Sequence, residues 1–205
     1  MAWDTEGTRR RLLEAAVEEF SDHGFAGARV DRIAGAAGVN KERIYQYFGG
    51  KDGLFGAVLA AELSAAMDAV PIDGEGVEAI TDYAARLFDY QSAHPQLGRL
   101  TFWEGLERRV PVAEELRRAG AQSKIDRVRG ALPELSETDV RELLLTILTL
   151  CDGFHALPNV DRLYGEAGEA DGDRLVRRRA AILGTVRAAA ESLIASRREE
   201  AQRPS

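Results

Sequence analysis

One cysteine, three histidines and three lysines among 205 residues set the first limits on this chain. Cys151 alone can build neither an intramolecular disulfide framework nor a cysteine-rich zinc site, which fits a reducing compartment. His23, His94 and His155 are a thin, scattered stock of general bases, and no G-x-S-x-G, H-E-x-x-H or phosphate-cradling loop accompanies them. No enzyme is expected, and no metal or cofactor. Long apolar runs are also missing: the strongest, Leu143 to Leu150, is far short of the roughly 20 residues a membrane helix needs. The first six residues carry acids where a signal peptide wants a basic region, so a cytoplasmic, membrane-free location is expected. Positive charge is short as well, 27 Lys+Arg against 34 Asp+Glu for a net −7. That excludes coating nucleic acid or a membrane by bulk charge, but not contact through a locally suitable face.

What is present is helical periodicity, with no Val/Ile/Thr-rich alternation to suggest a sheet. A first helix is expected from Thr8, capped by its hydroxyl, with Leu12, Leu13, Ala16, Val17 and Phe20 on one face and Gly24 as the stop. Short helices follow at Val30–Ala37 and from Asn40 to about Phe48, and a long one from Lys51 or Asp52 toward Val70. Beyond the Pro71–Gly74 loop, helices are expected near 76–93, 95–109, 112–131, 137–157 and 173–198. Residues 165–172 read as a loop, and the tail after Ser196 should fray. The fold class is all-α: an N-terminal three-helix head at 1–56, joined by a long helix to a larger bundle at 57–205.

Residues 30–48 have the dimensions of a helix-turn-helix. Gly38 supplies the positive φ of the turn, while Val39 and Ile44 are spaced as a hydrophobic staple around the Asn40 cap. With Ile44 and Phe48 inward, Glu42 and Gln46 lie opposite the buried side. Lys41 and Tyr45 line one flank, Arg43 and Tyr47 the other. This places polar groups toward base edges and cationic or phenolic groups toward phosphates. Gln46 suits adenine, and Glu42 a cytosine amine. Gly49-Gly50-Lys51-Asp52 adds a helix N-terminus and a full positive charge as a second phosphate site.

Residues 8–59 resemble the DNA-binding domain of the TetR family of bacterial transcriptional regulators. The resemblance is carried by TRRRLLEAAVEEF, Gly24-Phe25, VDRIAGAAGVNKERIYQYF at 30–48 and KDGLF at 51–55. It implies an all-helical homodimer that binds a palindromic double-stranded DNA operator, usually as a repressor released by a small-molecule effector. By position, Lys41, Tyr45, Tyr47 and Lys51 would contact phosphates and Glu42, Arg43 and Gln46 bases, with Asn40 beside them. One departure stands out. The family usually carries Thr or Ser before the second helix, where this chain has Ala28-Arg29. Guanidinium has no acceptor and cannot cap, a loss of about 1 kcal/mol, but Arg29 can reach a phosphate.

In the bundle, the apolar 143–150 segment and the small-residue-rich 180–194 segment suit a four-helix dimer interface built from helices near 137–157 and 173–198. Tyr83, Phe88, Phe102, Trp103, Phe154 and His155 are candidates for a pocket taking a small hydrophobic or aromatic effector. Cys151 and His155 at i, i+4 fall short of a zinc set. The alternative from another class is a ligand- or protein-binding bundle whose DNA head is vestigial, to which Arg29 is the one pointer. Charge divides unevenly: residues 1–56 carry 8 basic and 9 acidic residues, and the bundle carries most of the net acidity. In the head, Arg9, Arg10, Arg11, Arg29, Lys41, Arg43 and Lys51 can line one side.

Overall fold

The structure, a computed structural model, describes residues 5–165 and 170–202. All regular elements among them are helical: α1 Thr5–Gly27, α2 Val30–Ala36, α3 Glu42–Phe48, α4 Lys51–Ala69, α5 Gly76–Ala93, α6 Pro95–Glu107, α7 Glu114–Ala131, α8 Glu137–Ala156, α9 Pro158–Tyr164 and α10 Asp171–Gln202. No single helix among them is long and apolar enough to cross a membrane. The chain divides into two compact units, one built from residues up to Ala66 with His94–Arg117, the other from Met67–Ala93 with the residues from Arg118 onward. The first unit thus adds α6 to the N-terminal helices.

Its core follows from i, i+4 spacing. Leu12, Ala16 and Phe20 of α1 are fully buried, with Ile33 and Ile44 from the short helices and Leu54, Phe55, Val58 and Leu59 from α4. Phe20 meets Phe55 edge-on at 5.1 Å between ring centroids. Helix α1 begins before Thr8, so that residue lies within the helix, accepting from Arg11 at 3.3 Å, and does not cap it. Gly24 does end the regular helix, at φ 67°. Trp103 of α6 closes over it: a Cβ on Gly24 would lie 2.9 Å from the indole, whose Nε1 donates to the Ser21 carbonyl at 3.2 Å.

In the second unit, α5 supplies Ile80, Tyr83, Ala84, Leu87 and Phe88 to a core shared with α7, α8 and α10. Ser136 and Asp139 form a reciprocal capping box at the start of α8. The Asp139 carboxylate, on a residue only 8% exposed, also takes two bonds of 2.7 Å from Arg197 of α10. Bidentate pairs Arg179–Asp89 and Arg187–Glu78 fasten α10 to α5.

Three expectations need correction. Helix α10 continues past Ser196 to Gln202, held in its last turns by the Arg197–Asp139 and Arg198–Glu134 bonds between distant positions. An unexpected helix, α9, starts at Pro158, a residue suited to a first helical position. Of the expected 165–172 loop, residues 166–169 lie outside the described residues, and α10 already begins at Asp171.

Candidate nucleic-acid interface

The turn between α2 and α3 is built as its sequence requires. Gly38 takes φ 66°, Val39 N–H donates to the Ala34 carbonyl at 3.0 Å and Gly38 N–H to that of Gly35 at 3.1 Å. These two bonds form a Schellman motif, which fixes the angle at which α3 leaves. Asn40 turns its side-chain oxygen toward the Glu42 amide at a long 3.5 Å, so it is a weak cap. Ile44 is fully buried.

With Ile44 inward, α3 presents the polar face expected of it. Glu42, Gln46 and Tyr45 are exposed, Tyr45 to 56%, and Arg43 and Tyr47 are half-buried on the flank. Arg43 donates to the Gln46 side-chain carbonyl at 2.6 Å. Thr8 and Arg11 of α1 line one groove with Asn40, Glu42, Arg43 and Gln46, so α1 borders the same surface. Lys41 is exposed and pairs with Asp31 at 3.3 Å. Lys51 is half-buried, donating to the Ala26 carbonyl at 3.2 Å and lying 4.9 Å from the Phe25 ring centre. Its charge therefore sits where α1 ends and α4 begins.

Two supporting residues, Glu19 and Gly53, were not foreseen. Arg29 is exposed and caps nothing, but its amide donates to Glu19 Oε1 at 2.7 Å, and Arg32 Nε bonds the same carboxylate at 2.8 and 3.0 Å. Burial pushes the Glu19 carboxyl up, yet the Arg32 and Arg29 bonds outweigh it and hold the group below its ordinary value. Nothing in the local sequence announces a cap ten residues upstream. Gly53 is the other: a Cβ there would fall 1.9 Å from the Phe48 carbonyl oxygen. A glycine in a first helical turn was the available signal.

The expected pocket residues fall in both units. Tyr83, Phe88, Phe154 and His155 belong to the second, where Phe88 lies 5.7 Å from Phe154 and 5.6 Å from His155, ring to ring. Tyr83 and Phe88 are core residues, while Phe154 and His155 are half-buried. The His155 ring faces Ser92 Oγ at 3.3 Å, and burial lowers its pKa. Phe102 and Trp103 belong to the first unit, with Trp103 committed to Gly24 and Ser21. Cys151 is fully buried against the Ala84 carbonyl, and burial pushes its thiol up to about 12. Beside these aromatics lies a polar cluster that periodicity does not reveal. Lys124 donates to the Tyr83 hydroxyl at 2.8 Å, Gln91 donates to Asp152, and the Gln91 side-chain oxygen is buried without a partner.

Comparison with known proteins agrees with this geometry. Residues 12–58 match the signature of bacterial regulatory proteins of the tetR family, and residues 79–188 that of a tetracyclin repressor-like C-terminal domain. The HTH-type transcriptional repressor SCO4008 of Streptomyces coelicolor is 38% identical over 181 residues, covering 85% of this chain and 92% of that one. The HTH-type transcriptional repressor NicS of Pseudomonas putida is 34% identical over 109 residues, about half of each chain at 51%. Among solved structures, the Streptomyces coelicolor transcriptional regulator SCO4942 superposes with a TM-score of 0.71 at 33% identity, over 87% of this chain and 96% of that one.

Proposed function

The chain belongs to the TetR family of bacterial regulatory proteins, and from that premise we propose that it is a repressor which binds a palindromic operator as a homodimer and leaves it on binding a small effector. It is a DNA-binding transcriptional regulator and not an enzyme. The observation that carries the reading is the polar face of α3, with Glu42, Tyr45 and Gln46 exposed over a buried Ile44. Residues 1–56 form the DNA-binding domain. Glu42, Arg43 and Gln46 meet base edges, and Arg29, Asn40, Lys41, Tyr45, Tyr47 and Lys51 engage the backbone.

One seven-residue helix reads too few base pairs for tight binding, so two heads roughly 34 Å apart are needed, in successive major grooves. Helices α8 and α10 of residues 57–205 supply the dimer contact. Ala181, Gly184, Thr185 and Ala188 form an exposed small-residue strip on α10, and Leu145 of α8 is exposed to 59%. Repression is supported by the character of SCO4008 and NicS, both repressors. For a hydrophobic or aromatic effector, the candidates in the second unit are the half-buried Phe154 and His155, whose rings lie beside that of Phe88.

Selection of bound duplexes from a random DNA pool tests the reading. The expected result is a palindromic motif whose affinity falls steeply with salt through counterion release. Lys51→Ala should weaken every duplex alike and lower the salt slope by about one. An enriched motif without two-fold symmetry would count against the dimer, and no enrichment against operator binding.

A further inference from the structure

Glutamine on a recognition helix ordinarily reads adenine, its carbonyl accepting from the N6 amine while its amide donates to N7. In this chain that carbonyl is already engaged. Arg43 Nη1 donates to Gln46 Oε1 at 2.6 Å, a charge-assisted bond between positions i and i+3 of α3, in the groove shared with Glu42 and Asn40. A cation beside Oε1 opposes the approach of an adenine amine, which is itself a donor. The groups this pair itself offers to a base are then donors, the Gln46 amide and the Arg43 guanidinium. Guanine presents two adjacent acceptors in the major groove, N7 and O6. Resting on the operator-binding reading above, we propose that Arg43 and Gln46 act as one donor unit that selects guanine over adenine at one position of each operator half-site.

The test uses the full-length chain, a random duplex pool and then synthetic duplexes varied at the position whose preference changes in Gln46→Ala. Guanine is expected there, favoured over adenine by about five- to 150-fold, the range of one good bidentate contact. Arg43→Ala and Gln46→Ala should each bring that ratio close to one, and the double variant should lower it no further. Both side chains are at least partly solvent-exposed, so the variants should melt like the parent. Gln46→Glu, which keeps a partner for Arg43 but replaces the amide donor with an acceptor, should shift the preference toward cytosine. Adenine at that position would overturn the inference while leaving operator binding intact. So would an unchanged preference in Arg43→Ala, or retained guanine in Gln46→Glu. A pool with no enriched motif would overturn operator binding itself, and the inference with it.

Discussion

Glu19 caps a helix to which it does not belong: its Oε1 accepts the Arg29 amide at 2.7 Å and so closes the N-terminus of α2 from the side of α1. The Arg29 side chain makes no cap bond, and the carboxylate that accepts its amide arrives through the tertiary fold. The same carboxylate binds Arg32, whose Nη2 also reaches the Gly27 carbonyl at 3.0 Å.

Glu19→Ala should therefore cost about 0.5–2 kcal/mol, the usual range for a lost cap. The Glu19 pKa is lowered by folding, so this contribution is present above the ordinary carboxylate range and lost as pH falls through the folded value. Denaturant unfolding of parent and variant at pH 7 and near pH 3 checks it, with the difference shrinking at the lower pH.

Gly53→Ala should destabilise the first unit by about 3 kcal/mol and abolish DNA binding, because the added Cβ meets a backbone oxygen that has nowhere to go. Alanine is the better helix former, so a stabilised variant would show that the α3–α4 corner yields. Thermal melting and operator anisotropy separate the two outcomes.

Asp152 should make the stability of the second unit fall as pH rises from about 4 to 6. Burial pushes its carboxyl up to about 6, against the pull of Gln91 and Lys124. The folded state therefore binds a proton that the unfolded chain has released, and deprotonation costs up to about 1.4 kcal/mol per pH unit within that window. Asp152→Asn retains an acceptor for Gln91 and carries no charge. Its unfolding free energy should lose this slope, as urea titrations between pH 4 and 7 would record.

Gly184→Arg should yield a folded monomer. A Cβ at Gly184 meets nothing within 4 Å, so the chain's own fold accommodates a side chain there, whereas a helix packed against this strip does not. Sedimentation velocity reads the mass and circular dichroism the fold; a dimer of unchanged affinity would place the interface elsewhere.

The polar face of α3 was legible because its information is local. The Gly38 turn, the buried Ile44 and the polar positions around it lie within a dozen residues, and helical period alone sorts them into faces. The aromatic candidates of the bundle were less legible. Tyr83 and Phe88 are core, and Trp103 seals Gly24, because a large ring at helical spacing reads the same whether it fills a core or borders a cavity. Helix α9 escaped notice because its apolar residues face outward: Leu163 and Tyr164 are 80% and 85% exposed.

The scarcity of lysine, histidine and cysteine, the helical period and the spacing of residues 30–55 by themselves determined the class, the helix-turn-helix and the polar face of α3. Tertiary structure decided what depends on partners far along the chain. It supplied Glu19 as the cap of α2, Trp103 as the lid of Gly24 and Asp139 as the anchor of Arg197. It also set the protonation of Asp152 among Gln91 and Lys124. Periodicity states which side of a helix is buried, but hydrogen bonds, burial energies and pKa values depend on the atoms opposite, and only the fold brings those together.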